Sequence, residues 1–320
     1  MSRLVVTSGC NYADIDVLAC VVAYTELQRL LGKNAVTLLE APFNESVPRT
    51  IRSWEMPIVR KYVAEGGDQF AVVDVSEAKY FAKFIQEEQI AVLIDHHFGH
   101  EDYWQQKLGN NSIIEPVGSC ATLIWEEWRK ANCVLKQVQD RISKLSANLL
   151  YTAIISNSLN LQAQITKESD RQAAEELLQY TDLPKNWLEV YYQEVEQIIL
   201  ESGTNLIQLA INYKDYPSFR MTMGQLELWD GKTFIYKYRE KLLTELKNVQ
   251  SDYLFYSIPS IGENCNYLLT FRQKERDFLS KLFPVSWNGD IGVTEKLWLR
   301  KEIKQLAGKF IFCNPRRINK

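Results

Sequence analysis

Short, wholly apolar runs punctuate the first half of the chain. Leu4-Val5-Val6-Thr7, Ala35-Val36-Thr37-Leu38-Leu39, Phe70-Ala71-Val72-Val73 and Ile90-Ala91-Val92-Leu93-Ile94 each predict a strand, and Ile113–Val117 predicts a weaker fifth. None alternates apolar with polar residues, as expected of strands covered on both faces. Between the first two runs the pattern changes period: Leu18, Val21, Val22, Leu27, Leu30 and Leu31 recur at helical spacing. Gly32 suits the position just past that helix. Gly118-Ser119 precedes another helical stretch through Trp128. Strands alternating with helices predict an α/β N-terminal domain, a parallel sheet with helices on both faces. Ligands of such sheets gather at the carboxyl ends of the strands.

The pattern loosens further on. Residues 138–180 read as helical, with an interruption around Asn157 to Thr166. Thr181-Asp182-Leu183-Pro184-Lys185 is a polar, proline-bearing break, which divides the chain into domains over 1–182 and 187–320. A helix over Trp187–Leu200 opens the second half. Strand-like runs follow at Leu206–Asn212, Arg220–Leu228 and Leu254–Ile258, with helices between and after them. This predicts a smaller α+β C-terminal domain with a mixed sheet, and there is no internal repeat.

Composition adds limits. At 320 residues the chain is long enough for two domains, and 46% hydrophobic with 24% charged residues is ordinary for a globular protein. A net charge of −3 argues against general nucleic-acid binding. It leaves room for an anionic small substrate, because one pocket can be positive in an acidic protein. The six cysteines form no C-x-x-C pair, and Met1-Ser2-Arg3 leads directly into the first apolar run. Both features point to a reducing, cytoplasmic setting. No apolar run nears the roughly 20 residues that span a bilayer, so no membrane association is expected. Apolar strands left exposed would allow pairing into a homodimer.

Histidine usage is the unusual feature. The only three, His96, His97 and His100, fall within five positions, directly after a strand. Acidic residues end the other strands: Asp14 and Asp16 follow the first, Asp74 the third, and Asp95 precedes the histidine pair. Carboxylates with one or two imidazoles suit Mn²⁺, Mg²⁺ or a similar divalent ion better than a thiolate-rich zinc site does. Two such ions about 3.5–4 Å apart would activate a water and bracket a phosphoryl oxygen. Plainer readings stand beside this one. Asp14 is also well placed to cap the helix after it, and single aspartates at strand ends commonly serve turns. Adjacent buried imidazoles are harder to explain without a ligand, since burying polar groups is costly.

The order of these motifs resembles the DHH phosphoesterase superfamily. Asp95-His96-His97 matches its naming signature, Ser8–Asp16 its first motif (usually H-x-x-x-D-x-D), Val72-Val73-Asp74 its second and Val117–Thr122 the small-residue turn after D-H-H. Leu149–Ser158 is similar to its fourth motif. More weakly, Asn212–Asp230 and the Arg300-Lys301 pair resemble the C-terminal (DHHA2-like) domain of family II manganese-dependent inorganic pyrophosphatases and the exopolyphosphatase/prune group. The resemblance implies a hydrolase of phosphoanhydride bonds, acting on pyrophosphate or short polyphosphate through metal-activated water. It implies metal ligands at Asp14, Asp16, Asp74 and His96, further ligand positions at Cys10 and Asn157, and Mn²⁺ or Mg²⁺ as cofactor. His97 and Asp95 would be the catalytic residues of D-H-H, with His97, Arg220, Arg300 and Lys301 contacting the phosphate-containing substrate.

Two positions depart from that pattern. Cys10 stands where the first motif usually has His, and Asn157 where the fourth has Asp. A thiolate is a softer ligand and an amide is neutral, so both changes weaken the hold on a pair of hard divalent ions. The readings left open are an enzyme with altered metal preference, one working with a single tightly held ion, and a degenerate member that binds phosphate ligands or a protein partner without turnover. A phosphodiesterase acting on small nucleotides is a further alternative. The superfamily members that do this carry a G-G-G-H-like run, which is missing because no histidine lies beyond His100.

Overall fold

A computed structural model describes residues 2–9, 11–134, 141–201, 211–216 and 219–313, with backbone alone at 133–134, 211–216, 219 and 311–313. The chain divides into two compact units, one over Met1–Leu161 and Ile165–Lys185, the other over Gln162–Gln164 and Asn186–Lys320. The first unit runs β1 (Arg3–Thr7), α1 (Ile15–Leu30), β2 (Asn34–Leu38), α2 (Arg49–Arg52), β3 (Ile58–Val59), β4 (Gln69–Val73), β5 (Ile90–Asp95), α3 (Glu101–Leu108), β6 (Ser112–Ile114), α4 (Cys120–Val134), α5 (Lys144–Asn157) and α6 (Glu168–Leu178). Its six strands lie in the order β3-β2-β1-β4-β5-β6, and every neighbouring pair is parallel.

The apolar runs become strands because both faces of this sheet are covered. Val5, Val6, Phe70, Val72, Leu93 and Ile94 are fully buried. Helix α1 packs against α4 and α5 and is buried along most of its length, so its apolar positions are not confined to one stripe. The strand order reverses between β1 and β4, the position at which open α/β sheets form a crevice at their carboxyl ends. The weak fifth run is a strand only over Ser112–Ile114; Pro116 ends the extended pairing, since proline lacks the donor a ladder needs.

The second unit contains α7 (Trp187–Glu201), β7 (Ile211–Tyr216), β8 (Phe219–Gln225), α8 (Gly231–Lys247), β9 (Tyr253–Ser260), β10 (Cys265–Leu269), α9 (Gln273–Leu282), β11 (Ser286–Asn288), β12 (Ile291–Thr294) and α10 (Arg300–Cys313). Its sheet is mixed, in the order β11-β12-β10-β9-β8-β7, with β8 and β9 parallel and the other pairs antiparallel. Of the expected strand over 206–212, residues 206–210 lie outside the described residues. The strands at 265–269, 286–288 and 291–294 were not legible, since they are only three to five residues long. Among the described residues no helix is long and apolar enough to cross a membrane.

The register of β1 on β4 is fixed at the end remote from the crevice. Arg3 at the start of β1 donates in bidentate fashion to Asp68, just before β4, through Nε to Oδ1 (2.9 Å) and Nη2 to Oδ2 (2.8 Å). Tyr62 Oη and the Glu65 amide also donate to Asp68 Oδ2, at 2.8 and 2.9 Å. Burial pushes this carboxyl up, but the bonds from Arg3, Glu65 and Tyr62 outweigh it and hold its pKa below the ordinary range. A carboxyl with a depressed folded pKa contributes stability above its unfolded pKa, and that contribution is lost as pH falls through the folded value. Asp68→Asn is therefore expected to lower stability by about 2–3 kcal/mol at pH 7. The gap to wild type should narrow as pH drops below about 4. Amide hydrogen exchange of β1 and β4 checks both; a gap that does not change with pH overturns the assignment.

Candidate functional site

Three strand ends of the first unit converge on the crevice. Past β1, Gly9 forms an antiparallel bridge with Phe81, and the Ala82 amide donates to the Ser8 carbonyl at 3.3 Å. A Cβ at Gly9 would lie 3.0 Å from the Tyr80 carbonyl oxygen, so the close approach of these segments requires glycine. Asp14 then caps α1, its Oδ1 accepting the Val17 amide at 2.9 Å. Past β4, Asp74 takes a left-handed backbone (φ 57°) while its amide donates to the Ile94 carbonyl of β5 at 2.8 Å. Aspartate is one of the few residues that tolerate this conformation, and such outliers collect at functional sites.

The third strand end orients two imidazoles in opposite ways. Asp95 is fully buried, and its Oδ1 accepts the amides of His96 (2.8 Å) and His97 (3.2 Å) and bonds His97 Nδ1 at 2.8 Å. His96 Nδ1 instead meets the Val117 carbonyl at 3.1 Å. A carbonyl only accepts, so the proton sits on Nδ1, and Nε2 is the nitrogen left to meet a cation. That nitrogen lies 3.5 Å from Asp74 Oδ1 and 3.9 Å from Asp16 Oδ2. Ligand atoms of Asp74, His96 and His97 all lie within 4.8 Å of one another, a spacing at which they could hold one metal ion.

Asp16 serves a different set of partners. Its Oδ1 accepts from Ser119 Oγ (2.8 Å) and the Ala121 amide (2.9 Å), and its Oδ2 from the Cys120 amide (2.9 Å) and from Asn157 Nδ2. The fully buried carboxylate thus sits at the N-terminus of α4, where unpaired amides and the helix dipole stabilise an anion. Helix α5 delivers Asn157 on its last turn and then stops in three successive left-handed residues, Leu159, Asn160 and Leu161. The Cys20 and Cys120 thiols are buried nearby, Cys20 Sγ at 3.6 Å from Asp16 Oδ1, and burial pushes both up.

The charge balance is unfavourable for bare carboxylates. Burial, and then the Asp16 and Asp14 charges, push Asp74 well above the carboxylate range, and burial with the Asp16 charge pushes Asp14 up to about 6. For Asp95, burial raises the carboxyl most, but its bond to and charge interaction with His97, a bond from Ser76 and the nearby His96 together leave it low. Asp74 Oδ1 and Ser8 Oγ are buried with no hydrogen-bond partner among the described residues. A cation between these groups would relieve both the repulsion and the missing contacts. Oxygen donors with one or two imidazole nitrogens fit Mn²⁺ or Mg²⁺. Above them opens a cavity of about 570 Å³, and none of its described lining residues is Lys or Arg.

Of the residues singled out by sequence, the structure brings Asp14, Asp16, Asp74, Asp95, His96, His97 and Asn157 to one end of the first unit's sheet. Cys10 lies outside the described residues. Arg220 lies on β8 of the second unit and is exposed, Arg300 begins α10 half-buried, and Lys301 follows it, exposed. Sequence reasoning missed Asp170 and the side chain of Ser119. Buried Asp170 accepts the Gly118 amide (2.9 Å), Thr122 Oγ1 (2.6 Å) and the Lys167 amide (2.7 Å), fixing the turn that carries Ser119 and the Val117 carbonyl. A Cβ at Gly118 would fall 2.8 Å from Asp170 Oδ2, which explains the glycine. An acidic residue three positions into a helix signals a cap, but nothing local links it to a turn 52 residues away.

Comparison with known proteins places this geometry. Residues 5–154 match the family model described as "DHH family, N-terminal domain". A probable manganese-dependent inorganic pyrophosphatase from Lactobacillus delbrueckii subsp. bulgaricus is 28% identical over 212 residues, covering 63% of this chain and 61% of the relative. One from Bacillus cereus is 30% identical over 187 residues, 56% of each chain. The chain thus spans about six-tenths of the length of the curated relatives it matches. Among solved structures, a Methanococcus jannaschii protein assigned to the family II inorganic pyrophosphatases aligns over 96% of this chain and 98% of its own, with TM-score 0.61 and 21% identity. An exopolyphosphatase-related protein from Bacteroides fragilis aligns over 97% and 92%, with TM-score 0.50 and 14% identity. At these identities the structural likeness is one of fold.

The Asp16–Asn157 contact yields a test. Asn157→Asp replaces a donor to a buried carboxylate by a second negative charge, so the metal-free protein should lose about 2 kcal/mol of stability. Millimolar Mn²⁺ should restore more of the melting temperature in the variant than it adds to wild type. Equal melting curves with and without Mn²⁺ for both proteins would show that Asn157 does not govern this charge balance.

Proposed function

We propose that this chain is a metal-dependent phosphohydrolase cleaving phosphoanhydride bonds, with inorganic pyrophosphate or short polyphosphate as substrate, a reading supported by the match of residues 5–154 to the DHH-family N-terminal domain. One observation carries the reading: Asp74 Oδ1, buried with no hydrogen-bond partner among the described residues, lies 3.5 Å from His96 Nε2. Asp14, Asp74 and His96 would hold Mn²⁺ or Mg²⁺, with Asp16 adding negative charge from the α4 anchor. Such an ion, when bound, neutralises phosphoryl oxygens and makes water a better nucleophile.

The remaining work falls to the chain's own residues. Asp95 fixes His97 through Nδ1, which turns Nε2 of this largely exposed ring outward, where it donates to a phosphate oxygen or takes a proton. In this reading Asp95 acts by positioning His97. Arg220, Arg300 and Lys301 are candidate phosphate contacts of the second unit, since guanidinium forks match phosphate oxygens in geometry as well as charge.

Asn157 favours a second reading, a domain that binds metal and phosphate without turnover. Its amide occupies Asp16 Oδ2, leaving that carboxylate fewer lone pairs for an ion. Phosphate release from pyrophosphate and tripolyphosphate with Mn²⁺, Mg²⁺ or Co²⁺ separates the two. Wild type should exceed the Asp74→Ala His96→Ala variant by at least about 100-fold, and titration calorimetry should show Mn²⁺ binding lost in that variant. Mn²⁺ binding without phosphate release would favour the second reading; wild-type metal binding and activity no better than the variant's would overturn both.

A further inference from the structure

Ser8 directly follows β1, and backbone contacts hold it on both sides. The β1–β4 ladder runs up to Thr7 opposite Val72, the Ser8 carbonyl accepts the Ala82 amide at 3.3 Å, and Gly9 bridges Phe81. The residue is 1% exposed, yet its Oγ has no hydrogen-bond partner among the described residues. A buried hydroxyl without a partner costs stability, and alanine would fill the same place without that cost. Thr37 of β2 also has an unpartnered hydroxyl, so the missing bond alone decides nothing. Ser8 differs because it lines the same cavity as Asp74, whose Oδ1 is buried and equally without a partner among the described residues. Two orphaned oxygens, one past the end of β1 and one past the end of its neighbour β4, thus belong to one cavity wall. Groups carried on strand ends are held more firmly than groups on free loops, as a binding site requires.

Resting on the metal reading of this site, we infer that the Ser8 hydroxyl belongs to the binding site of the divalent ion, where it accepts a hydrogen bond from one of the waters the ion keeps. Small, hard divalent ions give up their waters reluctantly and are often held by only one or two carboxylates, so part of their shell needs acceptors other than direct ligands. A serine Oγ accepts such a bond and adds no further negative charge beside Asp14, Asp16 and Asp74. The cost of burying the hydroxyl in the metal-free protein is then offset when the ion and its waters arrive. Ser8 acts through the ion's shell and touches no reacting atom, which makes it a positioning residue.

Titration calorimetry of the full chain with Mn²⁺ alone tests this in wild type and Ser8→Ala, beside thermal melting of both proteins without metal. Loss of an outer partner of the bound ion should weaken Mn²⁺ binding about tenfold. The metal-free melting temperature should stay at or above that of wild type, because the variant loses a buried hydroxyl that bonds nothing in the fold. A merely structural serine, bonded to a trapped water, gives the reverse: a lower melting temperature with Mn²⁺ affinity unchanged. Either half of that reverse result overturns the inference. So does an affinity difference that emerges only after inorganic phosphate is added, which would assign the hydroxyl to the substrate. If wild type itself binds no Mn²⁺, the metal reading fails and takes this inference with it. If wild type binds and Ser8→Ala binds equally, the metal reading stands and this inference alone falls.

Discussion

The buried carboxylate of Asp16 is the contact on which the rest of the first unit's site depends. It belongs to the first turn of α1, accepts the opening amides of α4 and the hydroxyl of Ser119, and receives the amide of Asn157 from the last turn of α5. Three helices are therefore pinned to one anion at the carboxyl end of the sheet. Hydrogen bonds to a charged group contribute roughly 1.5–3 kcal/mol each, and their loss inside a protein costs more than their formation gains. The arrangement fixes where the turn before α4 lies, and with it the Val117 carbonyl that sets the tautomer of His96.

Around this anchor the two histidines divide their roles through their second partners. His96 is tied through Nδ1 to a backbone carbonyl, which leaves Nε2 turned toward Asp74 and Asp16. His97 is tied through Nδ1 to the Asp95 carboxylate, and its ring is largely exposed. Two identical side chains, adjacent in sequence and with ring centroids 4.5 Å apart, are given different chemistry by groups behind them.

Much of this was legible. The continuous apolar runs gave the parallel sheet, since only strands covered on both faces tolerate them. The acidic and histidine residues at strand ends marked the site, because the carboxyl edge of such a sheet is where side chains from separate strands meet. The second unit was less readable: β10, β11 and β12 are short, and β12 pairs with β10 across the whole of α9. Asp170 and Ser119 escaped notice for the same reason, each being an ordinary cap or turn residue until the fold sets it beside its partner.

The sequence by itself determined the fold class and the strand-end positions of the candidate site residues, because periodicity and strand-end chemistry are local properties. Tertiary structure alone decided how those residues are used. It committed Asp16 to the start of α4, turned His96 toward Asp74 and His97 toward Asp95, placed Asn157 against a carboxylate, and brought Ser8 and Asp74 into one cavity wall. Those outcomes depend on hydrogen bonds and packing between segments remote in the chain, whose energies exist only once the sheet and its helices have closed.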